Sequence, residues 1–194
     1  MSGFSSARQK MVDGQVRPSD VTDSRIIDAM LAVPREAFVP DNKRALAYLD
    51  LDLDAGEAGS AGRFLIKPAV LAKMLQAAEI KETDHVLVVG CASGYAAAVI
   101  GKFAGKVTNM AAADGDPANA PFDVIVLNGA TEIVPEVLYR QLRDGGRLVG
   151  VFAMTQPARA TIVTRSHGDF GNRALFDATA PVLSGMERLP AFVF

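Results

Sequence analysis

The chain has 194 residues, 49% of them apolar and 22% charged, enough hydrophobic material for a packed core and too much for a disordered chain. Twenty basic against 22 acidic residues leave a net charge of −2, which excludes binding to duplex nucleic acid through a broad basic field. One cysteine and two histidines exclude an internal disulfide and most cysteine- or histidine-based metal sites.

In chain order, residues 5–18 are polar with scattered apolar positions and predict a short helix ending before Pro18. Thr22 is placed as the N-cap of a second helix with Asp23 in its first turn. Ile26, Ile27, Met30 and Leu31 lie on one face, and Pro34 stops the helix. Residues 41–63 are mixed. From Asp50 to Gly62 the acids Asp50, Asp52, Asp54 and Glu57 read as a solvated loop. Pro68 fits the first turn of a further helix whose buried stripe is Val70, Leu71, Met74, Leu75 and Ala78.

Val86-Leu87-Val88-Val89 is a short, wholly apolar run, as expected of a central parallel strand covered on both faces. It turns at Gly90 into a helix from Tyr95 to Ala104, ended by Gly105; Lys106 to Met110 then reads as the next strand. Phe122 to Leu127 predicts another buried strand. Residues 135–143 predict a helix with Val134, Val137, Leu138 and Leu142 inward, stopped by Gly145-Gly146. Arg147 to Phe152 follows as a strand, then Ala158 to Arg165 and Arg173 to Phe176 as an antiparallel pair around Ser166-His167-Gly168-Asp169. Phe192-Val193-Phe194 reads as one more edge strand. The alternation predicts a single α/β domain: residues 1–67 are a helical N-terminal extension and loop, and 68–194 a Rossmann-like core with a mostly parallel sheet and a C-terminal antiparallel hairpin. No internal repeat is visible.

The segment that carries most chemistry is Gly90-Cys91-Ala92-Ser93-Gly94, a small-residue turn between strand and helix. Gly90 permits a sharp turn, Gly94 a close approach of helix and strand, and the small residues between them let a ligand lie against backbone N–H groups. The pattern is Gly-x-x-x-Gly, so the strict dinucleotide fingerprint is absent, as is the Gly-Lys-Ser/Thr ending of a phosphate-binding loop. Asn128-Gly129 follows the next buried strand and belongs by topology at the same carboxyl edge of the sheet. For both segments an unliganded strand-to-helix turn is the competing reading.

Together with these segments, Met11-Val12-Asp13-Gly14-Gln15-Val16-Arg17-Pro18, Val33-Pro34-Arg35-Glu36-Ala37-Phe38-Val39-Pro40, Phe122 to Ala130 and Leu142 to Val149 make the chain resemble the protein-L-isoaspartate O-methyltransferases. The Val-Pro-Arg-Glu-x-Phe-Val-Pro block is the specific part of this resemblance; the glycine loop and Gly-Gly-Arg-Leu are shared by many methyltransferases. The resemblance implies a seven-strand methyltransferase fold that binds S-adenosylmethionine through Gly90, Cys91, Ala92, Ser93 and Gly94, with Asn128 and Gly129 nearby. It implies methyl transfer to the isoaspartyl carboxylate of a protein or peptide. A carboxylate is already a nucleophile, so no catalytic residue is assigned.

Two departures from the family pattern stand out. Leu65-Ile66-Lys67-Pro68 keeps the proline of the family's Ser/Thr-Gln-Pro but neither the hydroxyl nor the amide. No acid ends Lys106-Val107-Thr108-Asn109-Met110, where ribose hydroxyls would otherwise be held. The stretch between 105 and 121 is short, as though about one strand–helix unit were missing, through an internal deletion or through residues omitted from the sequence. The alternative function is therefore a non-catalytic or altered-specificity relative that acts as a binding module.

The remaining candidates are plainer. Cys91 reads first as a small residue chosen for fit, Asp114-Gly115-Asp116 as a solvated turn, and His85 and His167 as surface residues. The N-terminus has no apolar signal core. The longest uncharged stretch, Val86 to Gly101, has 16 residues, short of the ~20 of a membrane helix. The expected protein is thus soluble and cytoplasmic, with no nucleic-acid, membrane or metal partner. Its edge strand and N-terminal extension leave a homodimer open.

Overall fold

The computed structural model describes residues 3–56, 64–91 and 93–189; Ala92, part of the acidic loop with Glu57, and the expected strand Phe192-Val193-Phe194 lie outside them. The first helix, α1 (Gly3–Met11), ends before Pro18 as expected, but the helical path does not. It runs on through a wider turn at Val12–Val16 and a tight 3-10 turn at Arg17–Ser19, because a proline at the start of a turn has no N–H to lose. Helix α2 (Ser24–Ala32) is capped by Asp23, which accepts from the Arg25 N–H. Thr22 instead gives its backbone N–H to Gln76 Oε1 at 2.7 Å.

Strands β1 (Leu53–Asp54) and β2 (Phe64–Leu65) form a small antiparallel pair, and α3 (Pro68–Ala78) begins at its proline. Then come β3 (His85–Val89), α4 (Tyr95–Ile100), β4 (Lys106–Met110), β5 (Phe122–Thr131), the single turn α5 (Glu136–Tyr139), β6 (Leu142–Phe152), β7 (Arg159–Ser166) and β8 (Asp169–Asp177). The main sheet runs β4-β3-β5-β6-β7-β8, parallel from β4 to β6 and antiparallel beyond. It has six strands among the described residues, one fewer than the seven implied by resemblance, and β4 forms its edge.

The two faces of the sheet are covered differently. Val86, Val88, Val124, Val126, Val149 and Val151 pack with the N-terminal helices, α3 and α4. Leu87, Val89, Ile125, Leu127 and Leu148 pack on the other face with Leu138, Leu183 and Met186. Helix 135–143 is only α5, because β6 starts already at Leu142, three residues before the left-handed Gly145 (φ +74°). Leu138 and Leu142 are buried as expected, whereas Val134 and Val137 are about half exposed.

The connection from β4 to β5, residues 111–121, contains no helix, although parallel strands are normally joined by a helical crossover. Gln141 fastens it: Nε2 donates to the Asp114 carbonyl at 2.7 Å, and Oε1 accepts from the Asp116 N–H at 2.8 Å. Asp114-Gly115-Asp116 is therefore a pinned turn. The β7–β8 hairpin is tighter than expected, with His167 and Gly168 both at positive φ, so that β8 begins at Asp169. His85 is half buried: Nε2 lies 3.0 Å from Thr108 Oγ1, and its ring packs on Phe122.

Candidate functional site

The carboxyl ends of β3 and β5 meet where a ligand is expected in a sheet of this type. Gly90 (φ +77°) leaves β3 and gives its N–H to the Met110 carbonyl at 2.8 Å. The loop closes as a turn, with Gly94 N–H on the Cys91 carbonyl at 3.0 Å, and Gly94 at φ +84° leads into α4. The Cys91 carbonyl also accepts from Asn109 Nδ2 at 3.0 Å. So the end of β4, where a ribose-binding acid would stand, carries an amide already committed to bracing the loop.

Asn128 is buried, and its Nδ2 donates to the Phe64 carbonyl at 3.0 Å and to the Gly90 carbonyl at 3.4 Å. The structure thus brings Gly90, Asn128 and Gly129 together and adds β2 to them. Cys91 is wholly buried, and burial pushes its thiol pKa up, as befits a small packing residue. Ser93 and Gly94 lie half buried at the rim, and Ala92 is outside the described residues.

Three neighbours were not legible as site residues in the sequence. Leu183 packs against both glycines: a β-carbon on Gly90 would meet its Cδ1 at 2.9 Å, and one on Gly129 its Cδ2 at 2.6 Å. The C-terminal segment is held beside β5 by Leu183 N–H to Ala130 O (2.9 Å), Ala130 N–H to Pro181 O (2.8 Å) and Glu132 N–H to Met186 O (2.9 Å). Phe64 contributes its carbonyl to Asn128. Arg35, from the Val-Pro-Arg-Glu block, donates Nε to Ala47 O at 2.7 Å and Nη2 to Ile66 O at 2.9 Å. Apart from the Val-Pro-Arg-Glu block itself, no local pattern marks these three, because the chain brings them in from 26 to 93 residues away from Gly90.

The fit to an adenosylated cofactor differs along the crevice. At the Ser93–Gly94 rim a β-carbon on Gly94 would find only the Phe38 ring, at 3.8 Å, so the loop offers the cradle that such a group needs. At the Gly90–Gly129 end Leu183 fills the space. Lys67, at the position of the family amide, has partners of its own: its N–H bonds Asp52 Oδ1 at 2.9 Å, and Nζ lies 3.3 Å from Thr179 Oγ1 and 3.7 Å from Asp52 Oδ2. Among the described residues no cluster of three His, Cys, Asp or Glu could hold a metal, and no helix is long and apolar enough to cross a membrane.

Comparison with known proteins agrees with this architecture. The family model described as "Protein-L-isoaspartate(D-aspartate) O-methyltransferase (PCMT)" matches residues 6–114 and 106–171, two stretches that overlap between β4 and the 111–121 connection. A protein-L-isoaspartate O-methyltransferase of Rhodopseudomonas palustris (strain ATCC BAA-98 / CGA009) is 36% identical over 206 residues, covering 91% of this chain and 93% of that protein. One of Roseiflexus sp. (strain RS-1) is 38% identical over 173 residues, covering 75% and 77%.

Ninety-one per cent of 194 residues is about 177, so about 29 of the 206 aligned positions have no residue here. Among solved structures, a protein-L-isoaspartate O-methyltransferase superposes with a TM-score of 0.76 at 20% identity, over 90% of this chain and 65% of its own. A structure titled as a putative enzyme of the same name from Plasmodium falciparum, in complex with S-adenosyl-L-homocysteine, superposes with a TM-score of 0.71 at 16% identity, over 94% and 99%. By family model and by sequence identity over most of its length, the chain belongs to the protein-L-isoaspartate(D-aspartate) O-methyltransferase family.

Proposed function

We propose that this protein methylates isoaspartyl carboxylates of proteins or peptides in the cytoplasm, with S-adenosylmethionine as methyl donor held at Gly90–Gly94, Asn128 and Gly129. The observation that carries this reading is the family match across residues 6–171. It is supported by the Gly90–Gly94 turn at the carboxyl edge and by Asn128, which ties Gly90 to β2.

When bound, S-adenosylmethionine supplies an electrophilic methyl group on a cationic sulfur. The chemistry demanded of the chain is then small: a carboxylate oxygen forms the new bond to carbon, the carbon–sulfur bond breaks, and two opposite charges vanish together. A dry, uncharged cavity favours that charge loss. Phe38 and Tyr95 supply apolar walls, and alignment of the acceptor with the donor provides the rate. The roughly 29 absent positions are best placed between β4 and β5, leaving β4 at the edge and the adenosine side with one wall fewer.

Calorimetry with S-adenosylhomocysteine, followed by methylation of an isoaspartyl hexapeptide and its aspartyl isomer, tests the reading. Micromolar binding and transfer to the isoaspartyl peptide alone are expected. Binding with no transfer to either peptide removes the proposed substrate, and no binding removes the enzyme.

A further inference from the structure

Two segments far apart in sequence flank the candidate site: 64–66 on one side and the loop leading to Tyr95 on the other. At one end they are joined through Asn128, which holds the Phe64 and Gly90 carbonyls. At the other end one side chain touches both. Arg35 Nη2 donates to Ile66 O at 2.9 Å, and its guanidinium lies over the Tyr95 ring, 4.8 Å from the centroid. Phe38, three residues on, meets the same ring edge-on at 5.5 Å and stands beside Gly94.

The residue type is an expensive one for this place. Among the described residues, Arg35, 1% exposed, forms no ion pair and its Nη1 has no hydrogen-bond partner; Tyr95 Oη, also buried, has none among them either. A buried cation with no carboxylate in ion-pair contact costs more than an apolar side chain of similar volume, so its charge by itself gives no reason for an arginine here. What it supplies, and a methionine does not, is a planar fork that reaches Ala47 O and Ile66 O while its face stacks on an aromatic ring.

We infer that Arg35 is a positioning residue for methyl transfer: it fixes the distance between the segment 64–66 and the Cys91–Tyr95 loop, and with it the approach of acceptor to donor. This rests on the proposed function. Binding of the nucleoside product rests on the loop with Asn128 and Gly129, whereas transfer also needs the segment 64–66 in register, and a misplacement of about 1 Å costs on the order of 100-fold in rate.

The test compares Arg35→Met, Arg35→Lys and, as a control, Arg8→Met in the full chain. Arg8 belongs to the same N-terminal unit and bonds Tyr48, Leu31 and Glu36, but neither flanking segment. Arg35→Met is expected to lower kcat toward an isoaspartyl hexapeptide roughly 10- to 100-fold, with the Kd for S-adenosylhomocysteine within about threefold of wild type. Arg35→Lys should regain part of the loss, and Arg8→Met should lower Tm with kcat unchanged.

A kcat for Arg35→Met within twofold of wild type overturns the inference, as does an equal fall in Arg8→Met at equal loss of Tm. If Arg35→Met does not fold, Arg35→Lys decides alone, supporting the inference by a lower kcat at unchanged Kd and overturning it by an unchanged kcat. If the wild type methylates no isoaspartyl peptide, the functional reading has failed and hydrogen exchange still tests the clamp. Faster exchange in Arg35→Met at both 64–66 and 93–98, absent in Arg8→Met, supports it; faster exchange at one segment or neither overturns it.

Discussion

Leu183 occupies the volume that a side chain on Gly90 would need, and the same side chain does so at Gly129. Two glycines 39 positions apart are thereby read as one requirement: both strand ends must be bare for one leucine to lie across them. Gly90→Ala adds a methyl into that contact at φ +77° and should cost about 2–4 kcal/mol, from overpacking together with the left-handed backbone. Leu183→Ala alone should cost about 3 kcal/mol as a buried truncation. In the double variant the two costs should fall short of their sum by about 1–3 kcal/mol, measured by urea unfolding in a double-mutant cycle. Strict additivity would place Leu183 elsewhere.

The same leucine covers the Gly90–Gly129 end of the crevice, so a ligand lying against Gly90 must displace it. Leu183→Ala, checked for folding by circular dichroism, should bind S-adenosylhomocysteine roughly 3- to 10-fold more tightly than wild type, because less of the population is closed. Weaker binding by a folded variant would show that the side chain lines the bound state instead.

His85 makes stability depend on pH. Burial, then the nearby Lys106, lowers its pKa from the ordinary imidazole value, against the opposing pull of Asp123 and Asp116. The unfolded chain therefore takes up the proton first. Its contribution to stability is full above the ordinary histidine pKa of about 6.5 and is lost as pH falls through that value toward the lower folded one. Urea midpoints should drop between pH 7.5 and 5.5, and the drop should shrink in His85→Gln; an unchanged slope would assign it to other groups.

Cys91 should be chemically silent in the native protein. Its sulfur is fully buried and its pKa is raised by desolvation, so little thiolate exists and none is reachable. Incubation with a disulfide reagent at pH 8 should leave the native thiol unmodified and react fully in urea. Rapid native reaction would mean that the loop opens readily.

Arg147 closes the far end of α3. It donates to the Ala78 and Glu79 carbonyls and pairs with Asp84 at 2.9 Å, where the two side chains are 17% and 7% exposed. Arg147→Met leaves the buried Asp84 carboxylate with the Lys81 N–H but no counter-charge, takes the donor from the Ala78 and Glu79 carbonyls, and should cost about 3 kcal/mol in urea unfolding. Asp84→Asn/Arg147→Met together should cost less than the two single variants summed, since no lone charge then stays buried.

Much of the fold follows from local sequence because hydrophobic periodicity and turn residues act over a few positions. Val86–Val89 could only be a strand buried on both faces, Pro68 opens α3, and His167-Gly168 turns the hairpin. Gly90 and Gly94 were legible as a turn because positive φ strongly favours glycine. The same local reading fails where the answer is set by a distant partner. Val134 and Val137 have helical spacing but face outward, since β6 begins too early for the helix to continue. The cap of α2 is Asp23 and not Thr22, in a register where Gln76, 54 residues from Thr22, takes the backbone N–H of both and the Asp23 carboxylate meets the Arg25 N–H.

By itself the sequence determined the order of α2, α3 and the strands of the main sheet, the glycine turn at a strand end and the family resemblance. Only the tertiary structure decided that Asn109 braces the loop in place of an acid, that Leu183 lies across Gly90 and Gly129, and that Arg35 joins Ile66 to Tyr95. Those contacts join segments 18 to 93 residues apart, and their energy comes from packing and from buried donors that must find acceptors. Neither term has a period or a motif along the chain, so each exists only once the sheet has brought the segments together.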